Sequence, residues 1–186
     1  MFESFHFVEV VKNTVIDPGV GSILPLFFFS FLNDLIGIFP FALILAGQMV
    51  FYHGDLGLAM WMKLLVFVAL PVGLGSAMGS IPLYLLSYFG GKPLIGKYQR
   101  FFRFSWQDVE KVNAYFKGTW YDELIFFVLR SAPVLPSMPL DVAAGTLRMR
   151  FAPYIVLTAA GAIVRMMLTL FAVAMSLHGF SALSEL

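Results

Sequence analysis

The sequence predicts an all-α integral membrane protein built from two inverted-topology repeats. Three observations support this fold class: the composition, the length of the apolar stretches and the positions of the basic residues. Of the 186 residues, 60% are hydrophobic and only 12% are charged, whereas about a quarter of an ordinary soluble domain is charged. A single water-soluble core of this size cannot bury so much apolar surface. The chain is therefore expected to form one membrane domain over residues 1 to 186.

The composition also excludes several classes of function. The chain has no cysteine and only three scattered histidines, so it offers neither a disulfide framework nor a cluster of metal ligands. Its net charge of +1 argues against a nucleic-acid surface. No nucleophile and base stand in a recognisable pattern. We therefore predict no enzyme activity, no metal and no cofactor.

Four apolar stretches reach or approach the length of about 20 residues that a bilayer core requires. They comprise residues 22 to 52, 57 to 89, 120 to 147 and 151 to 178. Ahead of them, residues 1 to 18 lack the basic start and cleavage site of a secretory signal, so we expect an interfacial segment there.

The only long polar interval, residues 90 to 118, contains six basic residues. The positive-inside rule places this interval in the cytoplasm. Its second half, SWQDVEKVNAYF, predicts an amphipathic interfacial helix with Ser105 as the N-cap.

The stretch LRSAPVLPSMPLDVAAGTLRM, residues 129 to 149, contains three prolines that break a helix. If residues 120 to 147 crossed the membrane, Arg148 and Arg150 would lie outside, against the positive-inside rule. A break between residues 132 and 139 lets the chain turn back instead. Such backbone survives at membrane depth only inside protein or beside water, so we predict a re-entrant hairpin that lines a polar cavity.

The first half repeats this arrangement. Residues 22 to 52 contain a polar break at Asn33, Asp34 and Gly37, and PFALILAGQM resembles PLDVAAGTLRM in its proline and small AG pair. Those pairs end in Gly47 and Gly145, which we expect to permit close packing of the hairpins. An unbroken span follows each hairpin, and the two units enter from opposite sides, as in inverted-repeat transporters.

Four ionisable residues fall at predicted membrane depth: Asp34, Arg130, Asp141 and Arg165. Each costs about 2.5 to 3.5 kcal/mol at the centre of a bilayer, so such residues usually pair or line a polar path. Arginine keeps its proton, and we predict that Arg130 and Arg165 bind an anionic head group. Asp34 and Asp141, with the neighbouring Asn33, would balance this charge or carry protons.

A structural role stays open for each charge. Arg130 could tie a broken helix to nearby carbonyls, and Asp141 could cap a helix that starts after Pro139. Asp34 could form an Asx turn at a hairpin tip. Arg165 could serve as a counter-ion for one of the aspartates.

The sequence resembles the DedA family, also described as the SNARE-associated or VTT-domain family, over residues 20 to 175. The resemblance rests on GSAMGSIPLYLLSYFGGKPLIG, on LRSAPVLPSMPLDVAAGTLRM and on FAPYIVLTAAGAIVR. It implies a membrane lipid transporter in which Arg130 matches the essential arginine, and Pro133 and Gly145 match the hairpin pattern. Pro133 and Pro136 would border the head-group site.

Three departures from the family pattern matter for the mechanism. Pro136 stands where many bacterial members have a second arginine, and this RxxPxxP form looks more like the eukaryotic and related branches. The first hairpin lacks the family's acids near Asn33 and Ala42, which leaves Asp34 alone. With one arginine fewer, a phospholipid or another anionic head group is favoured over a dianionic carrier phosphate.

The predicted function is that of a flippase or scramblase that moves phospholipid or polyprenyl-phosphate head groups through a polar groove at mid-membrane. One alternative is a proton-coupled transporter of a small solute or ion. Another is a non-transporting assembly factor that docks through residues 105 to 116. The expected partners are membrane lipids, with protons and a second copy of the chain as further candidates, in a prokaryotic plasma membrane.

Overall fold

The structure is a computed structural model that describes residues 18 to 36, 45, 47, 57 to 102, 106 to 116, 121 to 133 and 135 to 184. Every regular element in these ranges is helical. The predicted interfacial segment and the tip of the first hairpin lie almost entirely outside the described residues.

Seven α-helices are defined within the described ranges. They are α1 (Val20–Ile36), α2 (Leu58–Leu64), α3 (Leu70–Phe102), α4 (Trp106–Asn113), α5 (Asp122–Ser131), α6 (Ser137–Thr146) and α7 (Phe151–Ser184).

A π-helical turn, Leu65–Ala69, joins α2 to α3. The backbone N–H of Leu70 donates to the carbonyl of Leu65, five residues back. Pro71 follows at once and has no N–H to donate, and its ring would crowd the carbonyl four residues back in a regular α-helix. The wider turn accommodates this proline, so α2 and α3 form one long helical rod.

Within the described residues, two helical stretches are long and apolar enough to cross a bilayer. They are Leu58–Gly90 and Phe151–Ser176, each with a mean hydropathy of 2.0, and they correspond to the predicted spans 57 to 89 and 151 to 178. The first helix does not end at residue 89, however, because α3 continues to Phe102. Leu94, Lys97, Gln99 and Arg100 are good helix formers, and part of the predicted polar loop is helical.

The long helix α3 lies at the centre of the fold and packs against α1, α6 and α7. Glycines allow α1 to approach it closely: a Cβ built at Gly75 would lie 2.2 Å from the carbonyl oxygen of Phe27. At Gly79 the corresponding distance to the carbonyl oxygen of Phe31 is 2.3 Å. Small residues bring helix backbones together in this way inside membranes. The contact places polar residues of α1 directly against α3.

An apolar core joins α1, the π-helical turn and α7. Its fully buried members include Leu26, Leu64, Val68, Met166 and Leu170.

The amphipathic helix α4 is present where the sequence predicts one. Its buried residue, Val109, contacts a cluster on α3 and α6 that contains Leu83, Met138 and Val142. The apolar face of α4 therefore packs on the protein. The predicted N-cap, Ser105, lies outside the described residues.

The predicted break in the second half is confirmed, since α5 ends at Ser131, Ala132 is extended and α6 begins at Ser137. The structure corrects the start of α6, which precedes Pro139. A proline in the first helical turn is tolerated because its missing N–H would have no intrahelical partner. The re-entrant path of this segment stays a prediction.

The predicted break at Asn33 and Asp34 is wrong, because both residues lie inside α1. This helix continues to Ile36, and Gly37 lies outside the described residues. Asp34 is 7% exposed. A buried carboxylate at this depth needs partners, and the rest of the fold provides them.

Candidate functional site

Arg130 lies at the centre of a buried polar cluster. Its side chain is 1% exposed, and its Nη2 donates a hydrogen bond to Asp34 Oδ2 at 2.8 Å. The other terminal nitrogen, Nη1, donates to Asp141 Oδ1 at 2.9 Å and to Asp141 Oδ2 at 3.1 Å. Asp34 belongs to α1, Arg130 to α5 and Asp141 to α6. One guanidinium thus ties together three helices and both halves of the chain.

Neighbouring polar groups complete the coordination of these charges. Arg130 Nη2 donates to Ser76 Oγ at 3.0 Å, and Ser76 in turn donates to Asp34. Tyr154 donates its hydroxyl proton to Asp141 Oδ1 at 2.9 Å. Buried charges are tolerated when they are paired and hydrogen-bonded in this manner. The cluster is therefore a specific arrangement of ion pairs in the interior.

Local packing explains how Arg130 reaches this position. A Cβ built at Gly161 of α7 would lie 2.7 Å from Arg130 Cγ and 2.8 Å from Arg130 Cβ. The glycine leaves room for the aliphatic part of the arginine between α5 and α7. On α1, Ser30 lies one turn before Asp34 and donates to the carbonyl of Val72 at 2.7 Å. These contacts hold the carboxylate of Asp34 beside the guanidinium.

Three participants were not identified from the sequence: Ser76, Tyr154 and Gly161. Ser76 stands in GLGSAMGS, where small residues favour helix packing, so its role as a hydrogen-bond donor carries no separate signal. Tyr154 could have been suspected, because a tyrosine inside an apolar span needs a partner for its hydroxyl group.

The structure corrects two of the structural alternatives. Asp141 is not a helix cap, because it lies inside α6, whose N-cap residue is Pro136. Asp34 does not form an Asx turn, because it lies inside α1. Both carboxylates point to Arg130, and their side chains serve ion pairing instead of local backbone capping.

Arg165 is not a direct counter-ion of either aspartate. Its Nη2 donates to the carbonyl of Leu135 at 2.9 Å. Its Nε is buried and has no hydrogen-bond partner in the part of the chain that the structure describes. The aspartates are already coordinated by Arg130, Ser76 and Tyr154. Arg165 lies beside the break between α5 and α6.

The remaining predicted site residues occupy different surroundings. Pro133 and Pro136 are exposed at the break between α5 and α6. The side-chain nitrogen of Asn33 lies 3.5 Å from Asp34 Oδ1, whereas its buried Oδ1 has no partner among the described residues. Asn33 is thus adjacent to the cluster.

The two predicted packing glycines are not equivalent. A Cβ built at Gly145 would lie 1.9 Å from Ser87 Oγ and 2.5 Å from the carbonyl oxygen of Tyr84, so α6 needs this glycine to contact α3. Within the described ranges, nothing lies within 4 Å of a Cβ built at Gly47.

The geometry of the cluster suits the exchange of one anionic partner of Arg130 for another. Two carboxylates and one guanidinium are in contact, and the nearby Arg165 brings the formal sum to zero. An arginine between carboxylates can exchange one of them for another oxyanion, because phosphate matches the same donor geometry. Within the described residues, no group of three His, Cys, Asp or Glu side chains could hold a metal ion.

The long apolar helices and the buried charges together define a helical membrane protein with a polar site in its core. The family model of the VTT domain matches residues 39–175. The chain therefore belongs to the VTT-domain family of membrane proteins, which is the DedA family. The matched range contains Arg130, Asp141 and Arg165, whereas Asp34 precedes it. No curated protein and no solved structure matches the chain.

Proposed function

We propose that this protein moves lipid head groups across the membrane. The observation that carries the proposal is the buried guanidinium of Arg130 between the carboxylates of Asp34 and Asp141. Charges at membrane depth are expensive and usually mark a pathway or a binding site. Family membership is consistent with this function, because the VTT-domain family consists of membrane proteins.

A lipid phosphate would take the place of one carboxylate on Arg130. Asp34 is the carboxylate that we expect to leave, because it is 7% exposed and accepts from Arg130 through a single oxygen, although the hydroxyl group of Ser76 also donates to it. Asp141 is 0% exposed, accepts through both oxygens and is also held by Tyr154. The head group therefore enters on the Asp34 side, and Asp141 stays with Arg130 as its permanent partner.

Transport would then require only that the head group stay out of contact with hydrocarbon. Moving a charged or polar group into an apolar medium without partners costs several kcal/mol or more, and this term slows unassisted exchange between leaflets. The polar cluster supplies partners at mid-depth while the lipid tails remain in the bilayer. The broken segment between α5 and α6 provides the irregular backbone that such a groove needs.

A phospholipid is the preferred substrate class, with a polyprenyl phosphate as the second candidate. Among the described residues, a single arginine contacts the carboxylates, and the resemblance to the family implies that Pro136 stands where many bacterial members have a second arginine. A phosphodiester with one negative charge fits one exchangeable arginine better than a dianionic phosphomonoester does.

The position of α4 argues against the assembly-factor alternative. Its apolar residue Val109 is 0% exposed and packs against α3 and α6. The face that would dock a partner is therefore already used inside the protein.

The proposal is tested by reconstituting the purified chain into liposomes that contain a fluorescent phospholipid in both leaflets. A membrane-impermeant quencher should destroy about half of the fluorescence in empty vesicles and more than half when the protein exchanges lipid between leaflets. Loss equal to that of empty vesicles would contradict the proposal. Proton-driven uptake of a small solute without lipid exchange would favour the transporter alternative.

A further inference from the structure

Arg165 is a second cation at membrane depth, and it lies close to Arg130. On α7 it follows Gly161 by four residues, so both positions share one helix face at a separation of about 6 Å between Cβ atoms. A Cβ built at Gly161 would contact the Arg130 side chain. Arg165 therefore lies one turn of α7 beyond the glycine that packs on the aliphatic part of Arg130.

The contacts of Arg165 leave part of its charge uncompensated. Nη2 donates to the carbonyl of Leu135, Nε is buried without a partner, and no carboxylate is within ion-pair distance among the described residues. Arg130, in contrast, has two carboxylates in direct contact. A buried donor without a partner is unfavourable, and a bound anion would offset this cost.

The N-terminus of α6 lies next to the same group. The helix begins at Ser137, two residues after the carbonyl that Arg165 contacts, and no side chain caps it. The first turn of a helix leaves N–H groups without intrahelical partners and carries a partial positive charge, and in α6 these groups belong to Ser137 and Met138, because Pro139 has no N–H. Phosphate groups bind at such ends. The helix end and the guanidinium thus present donors for the same kind of ligand.

We infer that Arg165 and the first turn of α6 form an anion subsite for the phosphate group of a lipid or for free phosphate. The role of this subsite rests on the proposed function. The subsite receives a head group while Arg130 is still paired with Asp34. Its position beside the break gives the head group a first partner. Release of Asp34 then lets the phosphate pass from Arg165 to Arg130.

The subsite can be measured by binding, independently of transport. Titration calorimetry on the full chain in detergent micelles uses two probes: inorganic phosphate and a short-chain phosphatidylglycerol, whose phosphodiester carries one negative charge. The Arg165→Gln variant should bind the probe at least about tenfold more weakly, as expected for a lost hydrogen bond to a charged group. Arg150→Gln removes an equal charge from an exposed residue and should bind within about twofold of the unaltered chain.

The two probes distinguish the sources of the phosphate group. Arg165-dependent binding of both probes, or of inorganic phosphate alone, assigns free phosphate as a ligand, and Arg165-dependent binding of the lipid alone assigns the head group. Either result supports the subsite. If Arg165→Gln does not fold, Arg165→Lys keeps the charge but loses the planar donors, and its affinity should still fall several-fold.

Unchanged affinity in a folded Arg165 variant, or no binding of either probe, would overturn the subsite. Lipid exchange in the liposome assay would still stand in that case. Conversely, Arg165-dependent binding without lipid exchange would contradict the proposed function and leave the subsite intact.

Discussion

The Oδ2 atom of Asp34 accepts a hydrogen bond from Nη2 of Arg130 at 2.8 Å, across 96 positions of the sequence. This contact joins α1 to the end of α5. The guanidinium also donates to Asp141 on α6. Displacement of Asp34 would therefore change the hydrogen bonds of an arginine that holds α5 and α6 together. The contact joins the first half of the chain to the second.

The two aspartates should respond differently to neutralisation. Asp141→Asn removes a carboxylate that accepts from Arg130 and Tyr154 and has 0% exposure. We expect a loss of about 3 kcal/mol or more in the free energy of unfolding, as for other broken buried pairs. Asp34→Asn should destabilise less and should mainly alter lipid exchange. Thermal unfolding in detergent and exchange in liposomes measure the two effects, and equal destabilisation by both changes would contradict the assignment.

Tyr154→Phe removes one hydroxyl group and keeps the ring. The ring stacks on Tyr84 with centroids 4.2 Å apart, so packing should be retained. The loss of the hydrogen bond to Asp141 should lower the free energy of unfolding by about 1 to 3 kcal/mol. Thermal unfolding tests this value. Tyr115→Phe, at an exposed tyrosine, is the matched control and should change the midpoint little.

Gly145→Ala should separate α6 from α3. The added Cβ would lie 2.5 Å from the backbone carbonyl of Tyr84, which cannot move aside as a side chain could. Overpacking of this kind costs about 1 to 3 kcal/mol. Gly21→Ala on α1 is the control, because nothing among the described residues lies within 4 Å of its Cβ. A Gly145→Ala protein with the unfolding midpoint of the control would show that this helix contact is looser than described.

Gly161→Ala should affect both transport and stability. Its Cβ would lie 2.7 Å from Arg130 Cγ and 2.8 Å from Arg130 Cβ, and a Cβ atom moves only with the backbone of α5. Helix α5 must therefore shift away from α7, which displaces the guanidinium from its partners. We expect slower lipid exchange and a loss of about 1 to 3 kcal/mol in the free energy of unfolding, as for other overpacked contacts. Unchanged exchange would indicate that the position of Arg130 is not critical.

The charges of the site could be predicted from the sequence because ionisable residues are rare in apolar spans. Arg130, Asp34 and Asp141 stood out for that reason, and the break after Ser131 followed from its prolines. The pairing could not be predicted in detail, because it depends on α1 continuing through Asp34. The local sequence Asn33-Asp34 is compatible with both a turn and a helix. In the structure both residues are helical, and Arg130, 96 positions away, stabilises the carboxylate of Asp34.

Other features depend on packing that a single sequence does not show. Ser76 lies among small residues and acts in the cluster only because Gly75 and Gly79 bring α1 close. The helical continuation to Phe102 passes three glycines and Pro93, residue types that usually end a helix. The sequence therefore predicted the helix in the second half of the polar interval, whereas the helical continuation into its first half was not predicted.

The most direct test of the central claim compares lipid exchange by Arg130→Ala and Arg150→Ala in liposomes with matched protein content. Both variants lose one positive charge, but only Arg130 is buried between carboxylates. The account predicts that Arg130→Ala reduces exchange to the level of empty vesicles, while Arg150→Ala keeps the rate of the unaltered chain. A folded Arg130→Ala protein that exchanges lipid as fast as Arg150→Ala would contradict the claim that this guanidinium carries the head group.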